Sequence, residues 1–227
     1  MSQRLSRAAT AVIGSTHWFP TAPRGLGETN HVRWAHIDVD GFVGASPSAY
    51  PCDVRVIGGS ARGRPLKAKL PATVRPTTDY AREAIFSMLE SRGGLSDLVV
   101  ADLYCGSGAM GIEALSRGAA KAYFFDSDAA CLVAAKMNFE PLQLAGEAVF
   151  MRATLPVWSP PADLDLVLCD PPYGPLDLAS LLKGVVARRI VVENDRHMDA
   201  PEGWQVTKTK RYGTTLVTML EPDEGDS

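Results

Sequence analysis

From about residue 79 onward, apolar positions alternate between two periods. Tyr80, Ala84 and Met88 share one helical face, with Ala81, Ile85 and Leu89 beside them. An amphipathic helix is therefore expected over 79–91, with Thr77, Thr78 and Asp79 offering N-cap groups and Gly93-Gly94 stopping it. Short apolar runs follow at 98–104, 122–125, 148–151, 164–169 and 190–193. Each suits a strand covered on both faces. Helical patterns fall between them at 109–117, 128–138 and 176–187. The segments 205–210 and 214–220 flank Tyr212-Gly213 and read as a closing antiparallel hairpin. Strands alternating with helices predict an α/β fold, a doubly wound parallel sheet with one hairpin at its edge.

The chain before residue 79 has a different texture. Val54-Arg55-Val56-Ile57 has the pattern of a short strand ended by Gly58-Gly59. Residues 1–53 show neither period, are rich in Gly, Pro, Ser, Thr and Ala, and hold three of the four histidines, His17, His31 and His36. Such a stretch buries too little apolar surface to offset roughly 1–2 kcal/mol of backbone entropy per ordered residue. It is expected to be disordered or loosely placed, without cofactor contact, as is the tail at 222–227. The histidine spacing suggests no metal site.

Composition narrows the class. With 227 residues and 46% apolar content, the chain can build one good-sized core plus an appendage. No apolar run approaches the roughly 18 residues of a membrane helix, and the stretch after Arg4 and Arg7 is too short for a signal-peptide core. A soluble cytoplasmic protein is expected. Cys52, Cys105, Cys131 and Cys169 form no C-x-x-C pair, so buried reduced thiols are expected rather than zinc ligands or disulfides.

Charge divides the chain more sharply than its net value of −3 suggests. Residues 1–53 are neutral, 54–92 carry +5, and 93–227 carry −8. Arg55, Arg62, Arg64, Lys67, Lys69 and Arg75 are six cations with no acid between them. A basic arm on an acidic body fits a polyanion, because each cation can neutralise a phosphate and release a counterion. A solvated basic loop would have the same composition.

Two motifs carry chemistry. Asp102-Leu103-Tyr104-Cys105-Gly106-Ser107-Gly108 places a carboxylate near a strand end and glycines at the start of a helix, where doubly wound sheets hold nucleotides. Asp126 follows Gly106 by 20 residues, at the end of the next strand, where an acid can accept both ribose hydroxyls. Gly111 stands where a dinucleotide fingerprint has its third glycine, so this motif alone leaves NAD open. The second motif is Asp170-Pro171-Pro172-Tyr173 after the fourth strand. An exocyclic amino group is a poor nucleophile because its lone pair is delocalised into the ring. Acceptors aimed at its N–H hydrogens localise that pair, and the Asp170 carboxylate with the Pro171 carbonyl can supply them. The prolines stiffen the turn, and Tyr173 offers a face for a flipped base.

Together these motifs resemble amino-group methyltransferases that use S-adenosylmethionine. The stretch Arg55-Val56-Ile57-Gly58-Gly59, Arg62-Gly63-Arg64-Pro65-Leu66, Arg75-Pro76-Thr77-Thr78-Asp79 and Arg82-Glu83 narrows the resemblance to the RsmD family. These are 16S rRNA (guanine-N2)-methyltransferases acting on guanine 966. The resemblance covers about residues 54–220 and includes the cofactor segment 102–119. It implies a class I methyltransferase, a Rossmann-like seven-stranded sheet whose last hairpin is antiparallel, with a small basic N-terminal extension. The expected units are an arm and helix at 54–92 and a catalytic domain at 93–221. Residues 1–53 have no counterpart in the family, whose members begin near Val54, and Val54 is a candidate translation start. The functional unit is expected to exclude them.

The resemblance implies a cofactor site of Asp102, Tyr104, Gly106, Ser107, Gly108, Asp126, Ser127 and Ala153. It implies catalysis by Asp170, Pro171, Pro172 and Tyr173, and RNA contacts from Arg55, Arg62, Arg64, Lys67 and Arg75, without a metal. The expected substrate is 16S rRNA, within a partly assembled 30S subunit, and the expected protein is a monomer. Relatives more often have Glu at Asp126, and Asp128 competes for its role. Arg152-Ala153-Thr154 stands where many relatives carry an acid near adenine, leaving backbone groups to recognise that ring. A DNA adenine-N6 methyltransferase would share the Asp170–Tyr173 turn but needs a target-recognition region for which the chain has little room. A glutamine methyltransferase would have Asn at Asp170, and a non-catalytic RNA-binding module of this fold would have damaged motifs.

Overall fold

A computed structural model describes residues 54–68 and 79–223, together with the backbone of the strand Val32–Ala35. Eight strands form one sheet: β1 (Val32–Ala35), β2 (Val99–Leu103), β3 (Lys121–Asp126), β4 (Glu147–Arg152), β5 (Leu166–Cys169), β6 (Arg189–Asn194), β7 (Trp204–Tyr212) and β8 (Thr215–Pro222). Their order is β1-β4-β3-β2-β5-β6-β8-β7. Strands from β1 to β6 are mutually parallel, and the β7–β8 hairpin joins β6 antiparallel through β8. Seven of these strands are those expected from the hydrophobic pattern. The eighth, β1, lies where no strand was expected and pairs with β4 from Val32 opposite Ala148 to Ala35 opposite Met151. The rest of residues 1–53, with His17, His31, His36 and Cys52, lies outside the described residues, as do Lys69, Arg75, Thr77, Thr78 and 224–227.

The apolar runs alternate side chains between two layers, as the two-residue period of a strand requires. From β2, Val100 joins one cluster and Ala101 and Leu103 the other; from β5, Leu166 and Leu168 part from Val167 and Cys169. The first cluster is covered by α1 (Asp79–Glu90), α2 (Ala109–Ser116) and α3 (Ala129–Phe139), through Ile85, Phe86, Ile112, Leu132 and Phe139. Val56, Ala61 and Leu66 of the arm belong to the same cluster. The second lies beneath α4 (Leu178–Leu181), with Leu181, Leu182 and Val185 on Leu103, Val167 and Val192. Each fully buried side chain of this size contributes about 1.5–3 kcal/mol.

Two expected elements are corrected. The helix expected over 176–187 is only α4, because Leu182 closes it and Gly184 takes φ +75. Val185 and Val186, both β-branched, then continue as irregular chain. The strand expected at 54–57 is a single bridge, Arg55 to Pro65, inside a loop folded on itself. Val56 N–H donates to the Arg64 carbonyl, while those of Ile57 and Gly58 donate to Glu113, 2.7 Å each.

Candidate active site

The chain runs from β2 outward to β4, then crosses back to β5 on the other side of β2. The carboxyl ends of β2 and β5 therefore diverge at a topological switch point, the usual ligand crevice of such sheets. Leu103 pairs with Cys169, so Tyr104 and Asp170 leave the sheet side by side, and Asp170 N–H reaches the Leu103 carbonyl at 3.4 Å.

The turn after β2 is tightly specified. Tyr104 adopts φ +61, and Gly108 φ +77 at the N-cap of α2. A Cβ on Gly108 would lie 2.8 Å from the Ala135 Cβ, and one on Gly111 2.4 Å from the Phe124 ring. Glycine at these positions lets α2 settle onto β3 and α3. Gly111 N–H donates to Asp102 Oδ2 at 2.8 Å. Asp102 is fully buried, and burial pushes its carboxyl well above the usual range. The Gly111 N–H opposes that rise, and the charges of Asp170 and Asp126 add to it. Burial likewise lifts the Tyr104 phenol to about 12.

The two competing acids have separate tasks. Asp128 caps α3, accepting from Ala130 N–H at 2.8 Å. Asp126 faces the glycine turn, accepting from Gly106 N–H at 3.0 Å and from Asp128 N–H at 2.9 Å.

A cavity of about 840 Å³ opens at the switch point. Of the expected cofactor residues, Asp102, Tyr104, Gly106, Ser107, Asp126 and Ser127 line it; Gly108 and Ala153 do not. Gly108 works in packing, and Ala153 N–H donates to the Asp126 carbonyl at 3.0 Å. Asp170, Pro171, Pro172 and Tyr173 line the same cavity. The Tyr173 hydroxyl is 2.8 Å from Thr215 Oγ1, which ties this turn to the hairpin. The expected RNA contacts Arg55, Arg62, Arg64 and Lys67 lie outside the cavity, all exposed. Arg64 donates to the Pro141 carbonyl at 2.9 Å.

Several lining residues were not among the expected site residues: Tyr80, Arg82, Glu193, Tyr212 and Thr215. Arg82 had a signal, being a cation set among the apolar positions of α1. It is fully buried, and Nη2 donates to the Arg55 carbonyl at 2.6 Å and to Asp79 at 2.8 Å. Among the described residues, its Nε and Nη1 have no hydrogen-bond partner. Burial lowers its pKa, while Asp79 and Glu113 pull the other way.

The lining carries five acidic side chains, Asp102, Asp126, Asp128, Asp170 and Glu193, against one described cation, Arg82. Such a lining suits a ligand with positive charge and a small anionic end. Cys105 and Cys131 also line it, and burial raises both thiols, that of Cys131 to about 12, so neither is a thiolate nucleophile. Among the described residues, no cluster of His, Cys, Asp and Glu could hold a metal ion, and no helix is long and apolar enough to cross a membrane.

Residues 54–221 match the family described as Conserved hypothetical protein 95. YlbH of Bacillus subtilis is 34% identical, over 74% of this chain and 98% of its own. Ribosomal RNA small subunit methyltransferase D of Haemophilus influenzae is 31% identical, over 74% and 94%. The solved structure of yhhF from Escherichia coli superposes with a TM-score of 0.62 at 31% identity, covering 74% of this chain and 97% of that one.

Proposed function

The chain belongs to the Conserved hypothetical protein 95 family, the RsmD family, and from that premise we propose that it methylates ribosomal RNA with S-adenosyl-L-methionine as cofactor. The finer reading is transfer to the exocyclic N2 of a guanine in 16S rRNA, guanine 966 in the family's pattern. One observation carries it: a single acid-rich cavity lined both by the glycine turn and by Asp170–Tyr173.

The residues present fit the cofactor. It carries a sulfonium and an ammonium, which the acidic lining favours, and one carboxylate, opposite in charge to Arg82, the one described cation of the lining. Asp126 would hold the ribose hydroxyls, exchanging its contact with Gly106 N–H for them. When bound, the cofactor supplies an electrophilic methyl group whose leaving thioether is neutral.

The chain's own part is to present the nucleophile. The Asp170 carboxylate and the Pro171 carbonyl accept the two N2 hydrogens and leave the nitrogen lone pair localised. Tyr173 provides a face for the extruded base. In this reading Asp170 receives the proton that N2 gives up. Arg55, Arg62, Arg64, Lys67 and Arg75 contact phosphates, which position the RNA without reading its sequence. The protein acts as a cytoplasmic monomer, with residues 93–221 as its catalytic domain, to whose site α1 adds Arg82, and a partly assembled 30S particle as substrate. The test is transfer of a labelled methyl group to naked 16S rRNA, assembled 30S particles, duplex DNA and protein. Label on N2 of one guanine is expected. Label only in DNA or protein overturns the reading.

A further inference from the structure

Beside the cavity mouth stands a pair of tyrosines that the chemistry above leaves unused. Tyr80, the second residue of α1, is 66% exposed, and its ring meets Tyr212 edge-on with centroids 5.8 Å apart. Lys210 Nζ lies 5.1 Å from the Tyr212 ring centroid. Both tyrosines line the cavity that holds Asp170. Strand β7 bears Lys208, Lys210 and Arg211, all exposed, and no acid from Trp204 to Tyr212.

Register decides where these cations point. After the irregularity between Val206 and Lys208, Lys208 pairs with Met219 and Lys210 with Val217. Met219 and Val217 belong to the apolar cluster beneath α1 and the arm. Lys208, Lys210 and Tyr212 therefore rise from the face that carries Tyr80 and the basic arm, while Arg211 turns to the other. The acids on this part of α1 are Asp79, paired with Arg82, and Glu83, exposed one turn beyond Tyr80.

We propose that Tyr80 and Tyr212, with Lys208 and Lys210, form a docking platform for the single-stranded RNA flanking the target base. A neighbouring base stacks on the exposed ring of Tyr80, which Tyr212 braces from its edge, and the adjoining phosphates run along Lys208 and Lys210. Exposed aromatic rings interleaved with cations are the arrangement that binds single strands without reading sequence. The inference rests on the RNA-methyltransferase reading of the cavity and adds an entry path on the hairpin side, separate from the arm.

The experiment is fluorescence anisotropy of the full chain with a short labelled single-stranded RNA and with a duplex of the same length, titrated over salt. Tyr80→Ala is expected to weaken single-strand binding about 10-fold, with little change in salt slope. Tyr80→Phe should keep the affinity, because the ring is retained. Replacing Lys208 and Lys210 with Ala should lower the slope by about 0.7 for each phosphate no longer neutralised. S-adenosylhomocysteine binding and thermal melting, measured on every variant, should stay unchanged and so separate weakened docking from impaired folding. Unchanged single-strand affinity in Tyr80→Ala overturns the platform, as does an equal loss on duplex. A parent protein that binds cofactor but no RNA overturns the functional reading as well.

Discussion

In the arm, the N–H groups of Ile57 and Gly58 end on the Glu113 carboxylate; in the glycine turn, that of Gly106 ends on Asp126. Both segments are irregular backbone held by a carboxylate from elsewhere in the chain, and their surroundings differ. Glu113 has no exposed surface and also accepts from Arg117 Nε at 2.8 Å. Ser116 adds a second clamp, accepting from Ala61 N–H at 2.9 Å and donating to the Gly58 carbonyl at 2.7 Å. Asp126 instead borders the cavity, where a ligand hydroxyl can replace a backbone donor. One carboxylate is closed into the structure and the other is open to exchange. Asn138 links the two regions, accepting from Ala68 N–H at 2.8 Å and donating to the Ser107 carbonyl at 3.0 Å.

The contrast breaks most directly at Glu113. Glu113→Ala leaves two backbone donors and Arg117 Nε without their acceptor, while Arg117 Nη1 keeps Glu90 at 3.4 Å. Unsatisfied buried groups cost about 1–3 kcal/mol each, so a loss of about 3 kcal/mol or more is expected in urea unfolding. Affinity for S-adenosylhomocysteine should change much less. A loss below about 1 kcal/mol shows that the arm is not clamped through this residue.

On the open side, Asp170→Ala should lower the methyl-transfer rate at least about 100-fold, near 2.7 kcal/mol of transition-state stabilisation. Stability and cofactor affinity should stay close to the parent's. Near-normal turnover in single-turnover kinetics removes Asp170 from the mechanism.

Asp102 sharpens the contrast through pH. Its folded carboxyl titrates well above the usual range, chiefly through burial. The folded state therefore holds this proton more tightly than the unfolded chain does. Its contribution to stability is present at low pH and is lost as pH rises from the ordinary carboxylate range through the raised value. Each tenfold difference in proton affinity corresponds to about 1.4 kcal/mol. Asp102→Asn does not titrate, and its Oδ1 can still accept from Gly111 N–H. Urea midpoints of the ligand-free protein at about pH 5 and about pH 8 should differ less in the variant. An unchanged difference assigns the slope to other groups.

Legibility in the sequence follows the range of the interactions. Strands β2 to β6 were legible because a parallel strand covered on both faces must be apolar throughout, and the motifs after β2 and β5 sit at its ends. The hairpin was legible from Tyr212-Gly213. The arm's fixation was not, because Glu113 meets Ile57 and Gly58 across 56 and 55 residues, with nothing local at either end to announce it. Arg82 stands among the apolar positions of α1, and packing turns it inward, where among the described residues two of its nitrogens have no hydrogen-bond partner. The end of α4 was misjudged because the apolar spacing runs past Leu182 into Val185 and Val186, while Gly184 with φ +75 breaks the helix before them. The strand β1 has no local signal, and its register with β4 is a long-range pairing.

The smallest expected effect separates the arm's two kinds of cation. Arg62 and Lys67 are exposed, and among the described residues neither has an ion-pair partner. Arg64 is exposed too, but its Nη2 holds the Pro141 carbonyl and so helps fix the arm. If the clamped arm presents its charges to phosphates, replacing Arg62 and Lys67 with Ala should lower the salt slope of RNA binding by about 0.7 per phosphate left without its cation, with no change in thermal melting. Arg64→Ala should cost both slope and a few tenths of a kcal/mol in stability, because an exposed hydrogen bond to a carbonyl is worth no more than about 1 kcal/mol. Turnover at saturating RNA should hold for Arg62→Ala and Lys67→Ala, since phosphate contacts position the strand while the cavity does the chemistry. An unchanged slope in the double variant leaves the arm as a solvated loop that Glu113 fastens for packing alone, and shifts phosphate binding to other cations.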